Sequence, residues 1–237
     1  MEKLSLVLLY FLLFISYSVI GWLIESLCCS AIEKRLNLNR GFLIGPYLPI
    51  FGFGALIIII FFSKYSNDLL ALFVISSVAL TTLEYVTSYL MEKLFKARWW
   101  NYYDHKFNIN GRVSLTSAIG FGLLSILLIC IINPIYMNIL NIVPTFILNI
   151  VSIILLIIFL TDLFISLKII LDLNKSINNI KTDITNEISL EIKRILKNRK
   201  PLTNRLLNAF PSTEFDIKKI KLRWENIKNR QNKNKKP

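Results

Sequence analysis

Apolar residues run almost without interruption through five stretches of the chain. These stretches are residues 4–24, 45–62, 69–90, 113–132 and 143–171. Each is close to the roughly 20 residues that a helix needs to cross about 30 Å of hydrocarbon. The most apolar parts have almost no polar face, unlike the amphipathic core helices of a soluble protein. The pattern therefore predicts an all-α, polytopic membrane protein with about five transmembrane helices.

Basic residues alternate between the two ends of these predicted helices. Several follow the first and third helices, only Lys64 separates the second from the third, and none lies between residues 132 and 167. Residues 175–236 hold 17 of the 28 basic residues. Because cytoplasmic loops carry the excess of Lys and Arg, we expect the N-terminus outside and the C-terminus in the cytoplasm.

A basic, mostly helical cytoplasmic tail of residues 173–237 is predicted to follow a transmembrane domain of residues 1–172. The chain is 54% hydrophobic and carries a net charge of +13, most of which belongs to the tail. Ile217, Ile220 and Trp224 recur at helical spacing. Such basic amphipathic helices bind anionic lipid or a protein partner, or they remain solvated without one. Nucleic acid is not expected as a partner.

Glycines and prolines crowd the start of the second apolar stretch, between residues 41 and 52. Residues 49–62 alone would give about 21 Å of helix, which is too short to cross. Pro46 and Pro49 also remove backbone donors. We therefore expect a kinked or unwound segment, which at membrane depth must be surrounded by protein or a water-filled cavity. A transporter-type cavity is one interpretation, and close helix packing is the other.

Three acidic residues fall inside the predicted helices: Glu25, Glu84 and Asp162. In the predicted orientation all three lie in the cytoplasmic half of the bilayer. Each would cost on the order of 2.5–3.5 kcal/mol if it faced lipid, so we expect it to face the bundle interior, pair with a cation or bind a proton. Arg40 and Arg112 flank the helices and are the candidate cations. The acids either form a functional site or make structural ion pairs.

Aromatic residues are concentrated between the third and fourth predicted helices. Amphipathic rings settle at the membrane–water boundary. The residues predicted at this boundary are Trp22, Trp99, Trp100 and Tyr102. In the same connection, Asn108, Asn110 and Gly111 predict a tight turn before the fourth helix.

The sequence contains no recognisable catalytic or metal-binding motif. The adjacent Asp104 and His105 are too little to indicate a catalytic site, and His105 is the only histidine. The three cysteines fall in apolar stretches and are predicted to be free, buried thiols; they are Cys28, Cys29 and Cys130. A P-loop is also absent, so the chain cannot hydrolyse ATP through such a motif by itself. Enzymatic activity stays open, and neither a cofactor nor a metal is expected.

Five stretches of the chain resemble the bacterial membrane family of ABC-transporter type IV permeases, also called the CmpB family. They are GWLIE (21–25), NRGFLIGPYLPIFGFGA (39–55), LEYVTSYLMEKLF (83–95), WWNYYDHKFNINGR (99–112) and NRLLNAFP (204–211). The resemblance implies a helical multi-pass protein of the bacterial plasma membrane, with a separate ATPase subunit if it is ABC-type. The chain departs from the family pattern at Asn101, Tyr103, Lys106 and Ile119. Asn101 stands where an Asp is usual, which weakens any proton-transfer role there.

Three functional hypotheses follow. The first is a permease subunit whose substrate site is formed by Glu25, Arg40, Pro46, Glu84, Asn110 and Arg112. The second is an integral membrane enzyme for a lipid or isoprenoid phosphate at the inner leaflet, in which the glutamates act as acid and base and the arginines hold the phosphate. The third is a non-catalytic membrane scaffold whose tail recruits a partner.

Overall fold

A computed structural model describes residues 3–33, 41–95, 97–98, 100–179 and 214–215 of the chain. Six α-helices dominate this part of the protein. They are α1 (Lys3–Glu33), α2 (Pro49–Ile57), α3 (Leu69–Phe95), α4 (Leu115–Leu127), α5 (Asn133–Ile142) and α6 (Thr145–Asn179). Four short strands pair as two-stranded ribbons; they are β1 (Ala97–Arg98), β2 (Asn108–Ile109), β3 (Val113–Ser114) and β4 (Glu214–Phe215).

Four continuous helical segments of the described residues are long and apolar enough to cross a membrane. They are Leu6–Cys28, Leu69–Phe95, Leu115–Ile142 and Thr145–Leu171. A fifth, shorter apolar segment is Pro49–Tyr65. The prediction of an all-α, polytopic membrane protein is therefore confirmed, while the orientation of its termini stays a prediction.

The first helix supplies many side chains of the apolar core. It packs against α2 and α6, and α3 packs against α4. Several apolar side chains of α1 are buried, among them Leu12, Leu13 and Phe14. Polar contacts also join α1 to α5, because the Tyr17 hydroxyl donates to Asn133 Oδ1 at 2.9 Å. Membrane helices gain from such contacts, since lipid gives them little hydrophobic drive to associate.

The second apolar stretch begins as irregular backbone and becomes helical only at Pro49. Residues 41–48 form bends, and the Leu48 amide donates to the Ser18 carbonyl of α1 at 2.9 Å. Pro49 stands in the first turn of α2, where its missing N–H would have had no helical partner. Of the segment 41–52 that was predicted to be kinked or unwound, residues 41–48 are unwound and the helix begins at Pro49.

Asp162 of α6 explains why residues 41–48 can stay unwound inside the bundle. Its two carboxylate oxygens accept from the amides of Ile44 at 2.9 Å and Gly45 at 2.7 Å. The hydroxyls of Tyr47 and Ser166 also donate to it. One buried acid therefore replaces the backbone acceptors that a continuous helix would have provided.

The fourth predicted helix continues beyond residue 132, where the sequence pattern was expected to end it. A five-residue π-helical turn at residues 128–132 joins α4 to α5, and Pro134 lies in the first turn of α5. A proline inside a regular α-helix clashes with the preceding turn, whereas a local change to π-helix accommodates it. The helical segment therefore reaches Ile142.

The cysteines differ from the prediction in one respect. Cys28 and Cys130 are free, as expected, but both are exposed on the surface of the bundle. The prediction that these thiols are buried was wrong, because an apolar residue of a membrane helix can face lipid as readily as protein. The side chain of Cys29 lies outside the described residues.

Most of the predicted basic tail lies outside the described residues, including the amphipathic helix predicted at Ile217, Ile220 and Trp224. The exceptions are residues 173–179, which continue α6, and β4, which pairs antiparallel with β1 through Ala97 with Phe215 and Arg98 with Glu214. The tail therefore meets the chain immediately after the end of α3.

Candidate functional site

A β-hairpin closes the connection between α3 and α4. Strands β2 and β3 pair, and the Arg112 amide donates to the Ile109 carbonyl at 3.0 Å across the turn. Asn110 and Gly111 occupy the two central positions with φ of 53° and 65°. This left-handed conformation suits an Asn-Gly pair, because Gly has no Cβ and Asn tolerates it better than most residues. The predicted tight turn is therefore confirmed.

Arg112 holds this hairpin against the last turns of α3. Its guanidinium lies 2.8 Å from Glu92 Oε2 and donates to Ser88 Oγ at 3.3 Å. It also lies over the rings of Tyr85 and Tyr89, 5.7 and 5.5 Å from their centres. The sequence predicts Arg112 as a partner for the intramembrane acids. In the structure it pairs instead with Glu92, near the end of α3.

The folded connection between α3 and α4, which the structure describes at residues 97–98 and 100–114, also contacts Glu84 of α3. The Tyr102 hydroxyl donates to Glu84 Oε1 at 3.0 Å, and Ser117 Oγ lies 3.3 Å from Glu84 Oε2. Tyr102 is fixed in turn because its amide donates to the Gly111 carbonyl at 2.8 Å. The Glu84 side chain is only 6% exposed, so it sits in the interior and not against lipid.

A cavity of about 720 Å³ opens beside Glu84. Its volume falls within the range of about 300–1,000 Å³ that is usual for small-molecule sites. All the major helices except α5 contribute to it, and so do the unwound segment and the folded connection. The lining residues with a polar side-chain group are Tyr17, Glu25, Glu84, Thr87, Trp100, Tyr102, Ser117 and Ser125; the remaining described lining residues are apolar or glycine.

The cavity is elongated, with different chemistry at its two ends. Along the fourth helical segment it is lined from Ser117 to Ile132, a distance of about 20 Å of helix. Glu84 contacts Tyr102 and Ser117 at one end, whereas Ile58 and Leu128 belong to a mainly apolar end. That apolar end also holds the polar side chain of Tyr17, whose hydroxyl donates to Asn133. The π-helical turns at residues 58–62 and 128–132 both begin at this apolar end. Such turns are rare and often mark functional sites.

The predicted site residues separate into two groups. Glu25 and Glu84 both line the cavity, as do the predicted interface residues Trp100 and Tyr102. Pro46, Asn110 and Arg112 do not line it, and neither does Trp22. Asn110 instead donates through Nδ2 to the Tyr85 hydroxyl at 3.0 Å. Arg40 and Trp99 lie outside the described residues.

Trp100 and Tyr102 are half-buried in the folded connection. The Trp100 indole donates to the Arg112 carbonyl at 3.1 Å, which fixes its ring beside the cavity. The sequence predicts these two aromatic residues at the membrane–water boundary, where amphipathic rings settle. In the structure, hydrogen bonds hold Trp100 and Tyr102 in the lining of the cavity.

Ser117 and Thr87 were not recognised as cavity residues from the sequence. Ser117 belongs to a capping box in which the Ser114 hydroxyl accepts from the Ser117 amide at 3.2 Å and Ser117 Oγ accepts from the Ser114 amide at 3.1 Å. The S-x-x-S spacing before an apolar run is a signal for a helix start. It carries no information about Glu84, which is 33 residues away.

Residues 12–167 match a protein family described as "Putative ABC-transporter type IV". The chain belongs to this family. Every described residue that lines the cavity, from Tyr17 to Leu167, falls within the matched range. Together with the four long apolar helices, this membership identifies a multi-pass membrane protein of ABC-transporter type and confirms the resemblance seen in the sequence. No curated protein and no solved structure matches the chain.

Proposed function

We propose that the chain is the permease subunit of a transporter of the bacterial plasma membrane and that the cavity beside Glu84 holds its substrate. The observation that carries this proposal is the cavity itself, large enough for a small molecule and bounded by an unwound segment and two π-helical turns. Irregular backbone of this kind is tolerated inside a membrane where it lines such a cavity. Family membership supports transport as the general activity.

The ATP-driven form of this proposal needs a separate ATPase subunit, because the sequence has no P-loop. The folded connection after α3 is the surface that we propose for docking it. The basic tail would lie on anionic lipid of the inner leaflet or add to the same contact.

An enzyme that acts on a lipid or isoprenoid phosphate has less support. Its phosphate would need basic side chains in the cavity, but the described lining residues include no Lys or Arg. Arg112 pairs with Glu92 and does not line the cavity. Glu25 and Glu84 do face one cavity, which acid–base chemistry would require. The geometry therefore favours binding and passage of a solute over phosphate chemistry.

Filling the cavity tests the proposed function without knowledge of the substrate. Thr87 lines the cavity, whereas Thr82 lies exposed on the same helix. Cells that produce the wild type, Thr87→Phe or Thr82→Phe would be compared with cells that lack the protein, by mass-spectrometric profiling of solutes inside and outside. We expect at least one solute to redistribute with the wild type and with Thr82→Phe but not with Thr87→Phe.

The same comparison distinguishes the alternatives. If both threonine variants alter the solute profile as the wild type does, the cavity is not the route and the permease proposal fails. A scaffold would give no solute change with any variant, and Glu25→Gln and Glu84→Gln would then affect only the amount of folded protein. An enzyme would convert a lipid or isoprenoid phosphate without redistributing any solute.

A further inference from the structure

We propose that the cavity selects an amphipathic amine, a molecule whose protonated amino group binds Glu84 and whose apolar body fills the rest of the cavity. This inference rests on the proposed function and specifies its class of substrate. It is argued from the hydrogen bonding of Glu84, the shape of the cavity and the charges along its lining.

Glu84 has acceptor capacity that its protein neighbours do not satisfy. Ser117 Oγ lies 3.3 Å from Glu84 Oε2 but 2.8 Å from the Ser114 carbonyl oxygen. A hydroxyl carries one proton, which the shorter contact engages more strongly. Tyr102 supplies one further donor, to Oε1. A carboxylate can accept about four hydrogen bonds, so this buried group can receive donors from a ligand.

The charges of the lining favour a cationic ligand. Glu84 is a buried acid of the lining, and its hydrogen-bonding neighbours are the hydroxyls of Tyr102 and Ser117. A cation beside Glu84 offsets the cost of burying its negative charge. An ammonium group also donates hydrogen bonds, which are strengthened when both partners are charged.

The shape of the cavity requires an apolar body on this cation. Away from Glu84 the cavity extends for about 20 Å of helix among residues such as Ile58, Leu128 and Ile132. Water in that part would find few polar partners, whereas an apolar group gains by leaving water. A phospholipid does not fit as well, because the described lining offers its phosphate no Lys or Arg. We therefore commit to a soluble amphipathic amine.

Three matched probes test this selection. Each carries the same biphenyl body, with an aminomethyl, a hydroxymethyl or a carboxylate group at one end. Their equilibrium binding to the full-length protein is measured at neutral pH in phosphatidylcholine nanodiscs, with empty nanodiscs as the blank. We expect the amine to bind at least about tenfold more tightly than the alcohol, as a charged hydrogen bond implies, and the carboxylate to bind most weakly.

Two single substitutions test whether Glu84 causes the expected preference for the amine. Glu84→Gln should lower the affinity for the amine to that for the alcohol, whereas Asp68→Asn should leave the ranking intact. Asp68 is a suitable control because it lies exposed at the start of the same helix and also removes one negative charge. If Glu84→Gln does not fold, the ranking of the three probes on the wild type still tests the charge preference.

Several results would overturn the inference. Equal binding of amine and alcohol, tightest binding of the carboxylate, or an unchanged ranking in Glu84→Gln would each exclude selection by Glu84. Absence of binding by all three probes would exclude it as well. The proposed permease function is judged separately by the solute profile of Thr87→Phe, so it can survive the failure of this inference.

Discussion

Asp162 and Glu84 are both buried carboxyl groups of membrane helices, but their oxygens have different partners. Asp162 accepts from two backbone amides and two hydroxyls, all within the bundle. Glu84 has two hydroxyl neighbours and faces a cavity. A carboxylate whose acceptor sites are occupied by protein donors holds structure together, whereas one with remaining capacity can bind a ligand.

Replacing Asp162 should therefore loosen the unwound segment. Asp162→Asn keeps the size of the side chain but substitutes an NH2 group for one acceptor oxygen, which leaves a buried donor without its partner. We expect a loss of about 3 kcal/mol in the free energy of unfolding, measured in mixed detergent–dodecyl sulfate micelles. Amide hydrogen exchange should also accelerate within residues 41–48.

Asp68→Asn is the matched control for this change. Asp68 Oδ1 accepts from the Ala71 amide at 3.0 Å at an exposed helix start, and an asparagine can accept the same bond. The Asp68→Asn substitution should therefore leave the free energy of unfolding almost unchanged. If Asp162→Asn left hydrogen exchange at residues 41–48 as slow as in the wild type, Asp162 would not be the group that anchors them.

At the level of elements, α1 and α2 approach each other closely at Gly52. A Cβ added at Gly52 would collide with the Ser18 hydroxyl and with the backbone carbonyl and ring of Phe14. The backbone carbonyl cannot move away as a flexible side chain can. The pair is antiparallel, since Leu48 meets Ser18 while the Phe53 ring packs on Phe14 at 4.8 Å.

Gly52→Ala should force these two helices apart. We expect a loss of about 2 kcal/mol in the free energy of unfolding, the usual scale for overpacking. Gly120→Ala is the control, because nothing lies within 4 Å of a Cβ built at Gly120 and alanine favours helix. Unfolding of both variants is measured in the same mixed micelles. Equal stability of the two would contradict the close approach of α1 and α2.

At the level of the whole molecule, the connection after α3 carries large side chains with exposed apolar surface. Tyr103, Phe107 and Ile109 are 58%, 79% and 59% exposed. The predicted orientation places this connection in the cytoplasm, and β4 brings the tail to its first residues. Exposed apolar groups in such a position are typical of a surface that binds a partner.

If this surface docks an ATPase, a charge placed on it should abolish the complex. The full-length tagged protein would be purified in a mild detergent from the cells that naturally produce it and assayed for a co-purifying P-loop ATPase and for ATP hydrolysis. We expect both with the wild type and neither with Phe107→Glu. Lys64→Glu, in the predicted outer connection, should retain them. Absence of an ATPase from the wild-type preparation would exclude the ATP-driven form of the proposal.

The class of the fold was accessible from the sequence because it depends on local properties. Twenty consecutive apolar residues cross a membrane whatever their neighbours are, so four of the five stretches could be located directly. The turn at Asn110 and Gly111 could be predicted for the same reason, since both positions need a left-handed backbone. Because a charged side chain is costly in lipid, the sequence also favoured an interior position for Glu25 and Glu84.

What the sequence by itself determined is therefore the membrane class, the approximate helices and the acids that avoid lipid. Tertiary structure alone decided which groups meet. Asp162 binds amides more than 100 residues away, Arg112 pairs with Glu92 instead of an intramembrane acid, and Glu84 shares a cavity with Ser117. Helical periodicity describes only the faces of each helix. The cavity and its hydrogen bonds arise from the packing of helices that are distant in the chain.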